Sequence, residues 1–321
     1  MNRNIIISIL IYVILGLIGF MVYDLFYSEN SHQNVYELDT DGENHINPEL
    51  IDYTEINQIK TNLTELNGIA IDANDQIIIA GNEVQIYDRN LKLVKRFNPT
   101  DTINCVTVNS NNELYLGVKH RIEVRDFSGN LLRSWDLVNS ESIITGIAAT
   151  DKHIYVADAD ARLVYQYDTE GKLLAHLGKG NAEKGIPDII IRSSFFDVSI
   201  GRDGELWMAN PGHYLLQAFD TKGNFISSWG EQSNSVEGFC GCCNPTNFAI
   251  LSNGNFVTSE KSIPRVKIYS PDGKFLSVVA PPGKFDKGTK GLDLAVDSKN
   301  NIYVLDPERK QIRIFEKNIK K

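Results

Sequence analysis

The 321-residue sequence predicts an all-β fold, a six-bladed β-propeller, behind an N-terminal transmembrane helix. A turn motif recurs along the chain at intervals of 38 to 52 residues. Short apolar stretches that alternate with polar turns precede each copy, and helical periodicity is absent after residue 23. An uncharged apolar run near the N-terminus has the length of a membrane span.

The apolar run covers residues 4–23 and is dominated by Ile, Leu, Val and Phe. Arg3 precedes it, whereas residues 24–50 contain seven acids and no Lys or Arg. The positive-inside rule therefore places the bulk of the chain on the periplasmic or extracellular side. A cleaved signal peptide is the alternative, but the bulky residues around Val22 do not form a small-residue cleavage site. We expect an uncleaved signal anchor at 1–23 in the cell membrane.

Residues 24–50 have the composition of an acidic, flexible stalk, with few apolar side chains. The stalk carries −7 of the formal net charge of −9, and residues 51–321 carry only −3. No basic cluster in the chain is stronger than the three lysines near its C-terminus. Nucleic-acid-binding proteins concentrate Lys and Arg on one face, so we expect no nucleic-acid partner.

The turn motif Asp-x-x-Gly-x-apolar-apolar begins at Asp126, Asp168 and Asp220, with variants at Asp88 and Ser270. Each repeat is predicted to form four short strands joined by hairpin turns. The first strands are predicted to start near residues 68, 104, 146, 197, 247 and 291. Four-stranded units with this period are typical of a β-propeller.

The sixth repeat ends at residues 312–316, after its third strand. Residues 53–59 lie upstream of the first repeat, are β-prone, and can supply the missing outer strand. Closure of this kind removes an exposed sheet edge and ties the two ends of the ring together. The propeller is therefore predicted over residues 51–321.

The segments 154–158, 162–168, 302–306 and 312–315 closely resemble the NHL repeat, which builds six-bladed propellers. The resemblance covers nearly all of residues 60–316 and implies the same architecture. NHL domains differ in their tasks, which include protein or RNA binding, extracytoplasmic sensing and, in the peptide-amidating lyases, metal-assisted catalysis. The resemblance therefore implies a fold rather than an activity.

In such a ring, the loops between second and third strands share one face with the blade-to-blade loops, around the central channel. Long loops on a rigid scaffold are common places for binding residues, and residues 178–196, 230–246 and 281–290 form long ones. The candidate ligand-face residues in the second-to-third loops are Asp158, Arg162, His213, Glu260, Arg265 and Asp306. The alternative is structural, because carboxylates at such positions also cap turns and pair with nearby arginines.

Three cysteines, Cys240, Cys242 and Cys243, interrupt the repeat pattern in the second long loop. A disulfide between Cys240 and Cys243 is the simplest structural interpretation outside the cytoplasm. A disulfide between Cys242 and Cys243 is a second, although adjacent α-carbons lie about 3.8 Å apart, below the usual disulfide range. A soft metal such as copper or zinc, with help from His213 or Glu260, is a third, and unpaired thiols without a role are a fourth.

These patterns favour a non-catalytic platform that binds an extracytoplasmic protein, peptide or small ligand. One alternative is a metal-binding or redox accessory protein that uses the cysteine cluster. Another is a metal-assisted lyase or hydrolase of the amidating-lyase or lactonase type. The six histidines include two in the stalk, and this count argues against a histidine-rich metal site. Catalytic residues therefore stay unassigned.

Overall fold

The computed structural model describes residues 14–16 and 46–319. The chain divides into two compact units, residues 1–40 and 41–321, and the strands lie in the second. Residues 14–16 of the predicted anchor are helical, and the rest of the anchor and most of the predicted stalk lie outside the described residues. In the described part of the chain, no helix is both long and apolar enough to cross a membrane.

Six four-stranded antiparallel sheets form the blades. The first strand in the chain, β1 (Tyr53–Lys60), belongs to the last blade. Blade 1 contains β2 (Leu66–Ile71), β3 (Ile77–Gly81), β4 (Val84–Tyr87) and β5 (Leu93–Phe97). Blade 2 contains β6 (Ile103–Val108), β7 (Leu114–Val118), β8 (Arg121–Arg125) and β9 (Leu131–Asp136). Blade 3 contains β10 (Ile144–Ala149), β11 (His153–Asp158), β12 (Leu163–Asp168) and β13 (Leu173–Leu177).

The remaining blades follow the same order from channel to rim. Blade 4 contains β14 (Val198–Ile200), β15 (Leu206–Asn210), β16 (Leu215–Phe219) and β17 (Phe225–Trp229). Blade 5 contains β18 (Asn247–Ile250), β19 (Phe256–Glu260), β20 (Arg265–Tyr269) and β21 (Phe275–Ala280). Blade 6 contains β22 (Leu294–Val296), β23 (Ile302–Asp306) and β24 (Gln311–Lys317), and β1 is its outer strand. The predicted all-β, six-bladed propeller is confirmed.

The recurring turn motif owes its residue types to backbone geometry and to packing. Asp126 Oδ1 accepts the backbone N–H groups of Ser128 and Asn130, and this bonding closes the turn between third and fourth strands. Gly129 has a φ of +90°, and a β-carbon there would lie 2.6 Å from the Phe97 ring of the preceding blade. Gly171 and Gly273 meet a tryptophan ring of the preceding blade in the same way. The motif therefore forms the turn and also leaves space for the neighbouring blade.

Every outer strand carries a β-bulge at the same position, and the extra residue is apolar and exposed. The six bulged residues are Ile56, Val94, Leu132, Leu174, Ile226 and Leu276, each between 42% and 52% exposed. A bulge twists the strand and interrupts its free hydrogen-bonding edge. The bulges therefore protect the rim of each blade against pairing with another chain.

One position, equivalent in all six third strands, always carries a buried polar side chain. These residues are Gln85, Glu123, Gln166, Gln217, Lys267 and Arg313, and each is at most 3% exposed. Lys267 Nζ donates to the backbone oxygens of Val236 and Gly238, in the loop that enters its own blade. Arg313 donates to the backbone oxygen of Lys284, in the loop that enters blade 6. Gln85 donates to the side chain of Asn62, in the segment that enters blade 1. This position therefore fixes blade-to-blade loops to the scaffold.

Candidate functional site

The six first strands surround a central channel with a cavity volume of about 230 Å³. One residue of each blade, at or just before its first strand, occupies an equivalent position on the wall. These residues are Gly68, Cys105, Gly146, Asp197, Asn247 and Asp293. Cys105 is buried on the wall. The channel is therefore polar on one side, where two of the six positions are acidic.

The two channel acids hold neighbouring blades together. Asp197 accepts the N–H of Phe248 in blade 5 at 2.9 Å, and Asp293 accepts the N–H of Ile69 in blade 1 at 2.8 Å. Asn247 Nδ2 donates to Asp293 at 3.2 Å. Burial, with the added charge of Asp293, raises the pKa of Asp197 well above its ordinary value. Burial likewise raises the pKa of Asp293 to about 6, although its hydrogen bonds oppose the shift.

The channel opens on the loop face into a cavity of about 430 Å³, here called the loop-face cavity. Its wall combines an apolar side with amides, one cation and one anion. The side chains that define it are Leu66, Asn67, Asn104, Ile143, Phe195, Asn247, Lys290 and Glu308. A cavity of this size with few polar groups among apolar ones is typical of small-ligand sites.

Two of the predicted ligand-face acids are turn caps and not cavity residues. Asp158 is buried, and its Oδ1 accepts the backbone N–H groups of Ile143, Asp160 and Ala161. Asp306 is buried too, and its Oδ1 accepts the N–H of Arg309. Burial raises the pKa of Asp306, although Arg313 opposes the shift. Both carboxylates therefore fix loop conformations, as the structural alternative predicts.

Glu260 and Arg265 lie together in a buried ion cluster with Lys267. Glu260 Oε1 lies 2.8 Å from Arg265 Nε and 2.7 Å from Lys267 Nζ. Burial tends to raise the pKa of Glu260, but the two cations outweigh it and lower that pKa. Burial lowers the pKa of Lys267 to about 8 against the pull of Glu260. All three side chains are nearly inaccessible, so the cluster lies inside the blade.

The blade-to-blade loop at residues 230–246, here called the cysteine loop, is bonded to the buried cluster of Glu260, Arg265 and Lys267. The backbone N–H of Cys240 donates to Glu260 Oε2 at 3.1 Å, and the Cys240 thiol lies 3.6 Å from the same oxygen. Cys243 instead meets Cys242, with their sulfurs 2.9 Å apart. This separation is longer than a disulfide bond of about 2.05 Å, and Cys242 is exposed whereas Cys243 is buried. Burial and the neighbouring Cys242 raise the pKa of Cys243 to about 11, against the charges of Lys261 and Arg192.

The cysteine loop lies next to the loop-face cavity, and Lys261 joins the two. Its backbone N–H donates to Asn244 Oδ1 at 2.9 Å, one residue after Cys243. Its amine donates to Ser193 at 2.9 Å and lies 5.7 Å from the centre of the Phe195 ring, which lines the cavity. Nothing in the sequence indicates this connection.

His213 and Arg162, the two remaining candidates, are exposed in second-to-third loops. Neither lines the loop-face cavity. Across residues 14–16 and 46–319, no group of three or more His, Cys, Asp and Glu side chains is arranged to hold a metal ion. The predicted site residues are thus spread over several turns. Of these residues, the structure brings together Glu260, Arg265 and Cys240 in one group and Cys242 and Cys243 in another.

No family model matches this chain, and no curated protein matches its sequence. Among solved structures, the chain is similar to a virginiamycin B lyase from Staphylococcus aureus, with a TM-score of 0.59 and 13% identity over 83% of this chain and 100% of that one. A streptogramin B lyase matches with a TM-score of 0.60 and 10% identity over 83% and 98% of the two chains. The WD40 propeller domain of Doa1 matches with a TM-score of 0.55 and 14% identity over 78% of each. At these identities the similarity shows the propeller fold alone.

Proposed function

We propose that this protein is a membrane-anchored, extracytoplasmic propeller of the NHL type that binds a peptide or small ligand in its loop-face cavity. The observation that carries the proposal is the cavity itself, which lies where the channel opens between the blade-to-blade loops. Binding sites on ring-shaped scaffolds commonly lie on the face that bears the long loops. The apolar run at residues 4–23 and the acidic residues that follow support the anchor.

The cavity wall indicates the chemistry of the ligand. Phe195 and Ile143 supply an apolar surface, and Asn67 and Asn104 supply amide donors and acceptors. Lys290 and Glu308 place one positive and one negative charge on the same wall. A ligand with an apolar part, an amide-like part and at most one charge of each sign is complementary to this wall, and short peptides have this combination.

Two other functions have less support from the described residues. A metal-assisted lyase or lactonase needs a catalytic base and metal ligands, and no His lines the loop-face cavity. A copper or zinc site at the cysteine loop needs further ligands beyond Cys242 and Cys243, whose sulfurs face each other. The binding platform remains the function that the geometry supports best.

Binding can be tested with a panel of dipeptides observed by ligand-detected NMR on the full-length chain. Asn104→Trp places a large ring in the loop-face cavity, and Asn90→Trp places the same ring in an exposed turn on the opposite face. We expect dipeptide binding that survives Asn90→Trp and is lost in Asn104→Trp. Binding that both variants retain, or no binding by any dipeptide, would contradict the proposal.

A further inference from the structure

We propose that Cys242 and Cys243 form a thiol–disulfide exchange site that reacts with an external disulfide. Cys242 is the attacking thiol and Cys243 the resolving thiol. The inference goes beyond ligand binding in the loop-face cavity and does not depend on it. It rests on the separation of the two sulfurs, on their unequal exposure and on the way the loop holds them.

The two thiols differ as a dithiol exchange site requires. Cys242 is exposed and can meet an incoming disulfide, whereas Cys243 is only 2% exposed and cannot. Their sulfurs are 2.9 Å apart, so Cys243 lies next to any bond that Cys242 makes. Exchange proceeds through a mixed disulfide on the accessible thiol, which a second nearby thiol then releases.

The loop holds this pair in an uncommon backbone conformation. The backbone of Cys243 has a φ of +67°, which residues other than Gly rarely adopt. Asn244 Nδ2 donates to the backbone oxygens of Cys240 and Lys261, and Tyr214 Oη donates to the Gly241 oxygen at 2.9 Å. Such conformations persist only where their surroundings impose them, and they are frequent at functional sites.

Cys240 has a different role in the same loop. It is fully buried, and its N–H and thiol both lie against Glu260. Glu260 is in turn paired with Arg265 and Lys267. Cys240 therefore attaches the loop to the ion cluster, and the exchange site consists of the two adjacent thiols.

The reaction balances with a disulfide as the oxidant. The Cys242 thiolate attacks one sulfur of the external disulfide, whose S–S bond breaks and releases one thiolate. The Cys243 thiolate then attacks Cys242 Sγ, which breaks the mixed disulfide, forms the Cys242–Cys243 bond and releases the second thiolate. The two cysteine protons end on the two released thiols, so the protein loses two electrons and the external disulfide gains two.

Burial and the charges around the pair set its pH dependence. Burial and the neighbouring Cys242 raise the pKa of Cys243 to about 11, although Lys261 and Arg192 favour its thiolate. Tyr214 also faces the cysteine loop, and burial raises its own pKa. In the reduced pair Cys243 is therefore protonated at neutral pH, and the exchange should accelerate as pH rises, because the thiolate is the attacking form.

The test treats the reduced full-length chain with oxidised glutathione, and in a second arm with a peptide that contains a disulfide. Products are mapped by peptide mass spectrometry for the wild type and for Cys242→Ser, Cys243→Ser and Cys240→Ala. Circular dichroism checks that each variant is folded, and Cys243→Ala replaces Cys243→Ser if the latter is not.

We expect the wild type to release two equivalents of glutathione per chain and to gain a Cys242–Cys243 disulfide, faster at pH 9 than at pH 7. Cys243→Ser should retain one glutathione on Cys242, Cys242→Ser should not react at this loop, and Cys240→Ala should behave like the wild type. Reaction in the peptide arm alone would identify a peptide disulfide as the substrate. A stable glutathione adduct on wild-type Cys242, a Cys240–Cys243 bond, or inert thiols in both arms would overturn the proposal.

Discussion

Replacement of Glu260 by Gln should destabilise the propeller and loosen the cysteine loop together. Glu260 is the shared partner of Arg265 and Lys267, which are 2% and 0% exposed. Gln keeps the shape but removes the negative charge, so two buried cations lose their counter-charge. Removing one partner of a buried ion pair costs about 3 to 5 kcal/mol. For a domain of this size, that corresponds to a fall in Tm of roughly 5 to 9 °C.

Lys267 sets the pH dependence of this cost. Its pKa in the folded protein, about 8, lies below the ordinary value of 10.5, so the folded state releases this proton more readily than the unfolded chain does. Stability from this residue therefore rises with pH between these two values. Without Glu260 the same proton leaves at lower pH, so the difference between wild type and variant should shrink from pH 7 to pH 9.

The matched control is Glu123→Gln in blade 2. Glu123 is 1% exposed and pairs with a single cation, Arg125, far from the cysteine loop in sequence. Thermal unfolding measures stability, and hydrogen exchange at the Cys240 amide measures the loop. Both variants should lower Tm, but only Glu260→Gln should accelerate exchange at Cys240. A loss below about 1 kcal/mol, or equal exchange in both variants, would refute the role assigned to the cluster.

Three further outcomes are expected. Ile59→Ala on the ring-closing strand should lower the free energy of unfolding in urea by about 2 to 5 kcal/mol, because this side chain is 5% exposed. Ile56→Ala on the same strand should change it by less than about 0.5 kcal/mol, because Ile56 is 50% exposed. Asp293→Asn tests the channel acids. The folded pKa of about 6 exceeds the ordinary 3.8, so the contribution of Asp293 is present below pH 4 and is lost as pH rises through 6. Wild-type stability relative to this variant should fall by roughly 2 kcal/mol between pH 4 and pH 7. Deletion of residues 2–23 should move the protein from the membrane fraction to the soluble fraction of cells, and a deletion variant that stays in the membrane would contradict the predicted anchor.

The ring could be predicted because its determinants are local and repeated. Asp126 and Gly129 form their turn through bonds that span four residues, and the same pattern recurs in other blades. The missing strand after residue 316 could be noticed because five complete repeats define what the sixth lacks. Where a motif repeats, each copy supports the interpretation of the others.

The candidate site was harder to predict because its determinants lie between blades. Asp197 and Asp293 were not among the predicted site residues, and Lys267 gave no signal as a single lysine in an apolar strand. An alignment of the six repeats makes both kinds of residue visible, because each is charged where another repeat has an uncharged residue. Asp197 aligns with Gly146, and Lys267 aligns with Gln217. The pairing of Cys243 with Cys242 depends on the backbone conformation of the loop, which spacing alone does not determine.

The most direct test of the functional face is photo-crosslinking in intact cells. A photoreactive amino acid replaces Phe195, on the wall of the loop-face cavity, or Asn90, in a turn on the opposite face. A binding platform with its ligand in the cavity predicts a defined crosslinked product from position 195, absent when Asn104→Trp blocks the cavity, and none from position 90. A product from position 90 alone, or one from position 195 that persists with the cavity blocked, would contradict the assignment of this face.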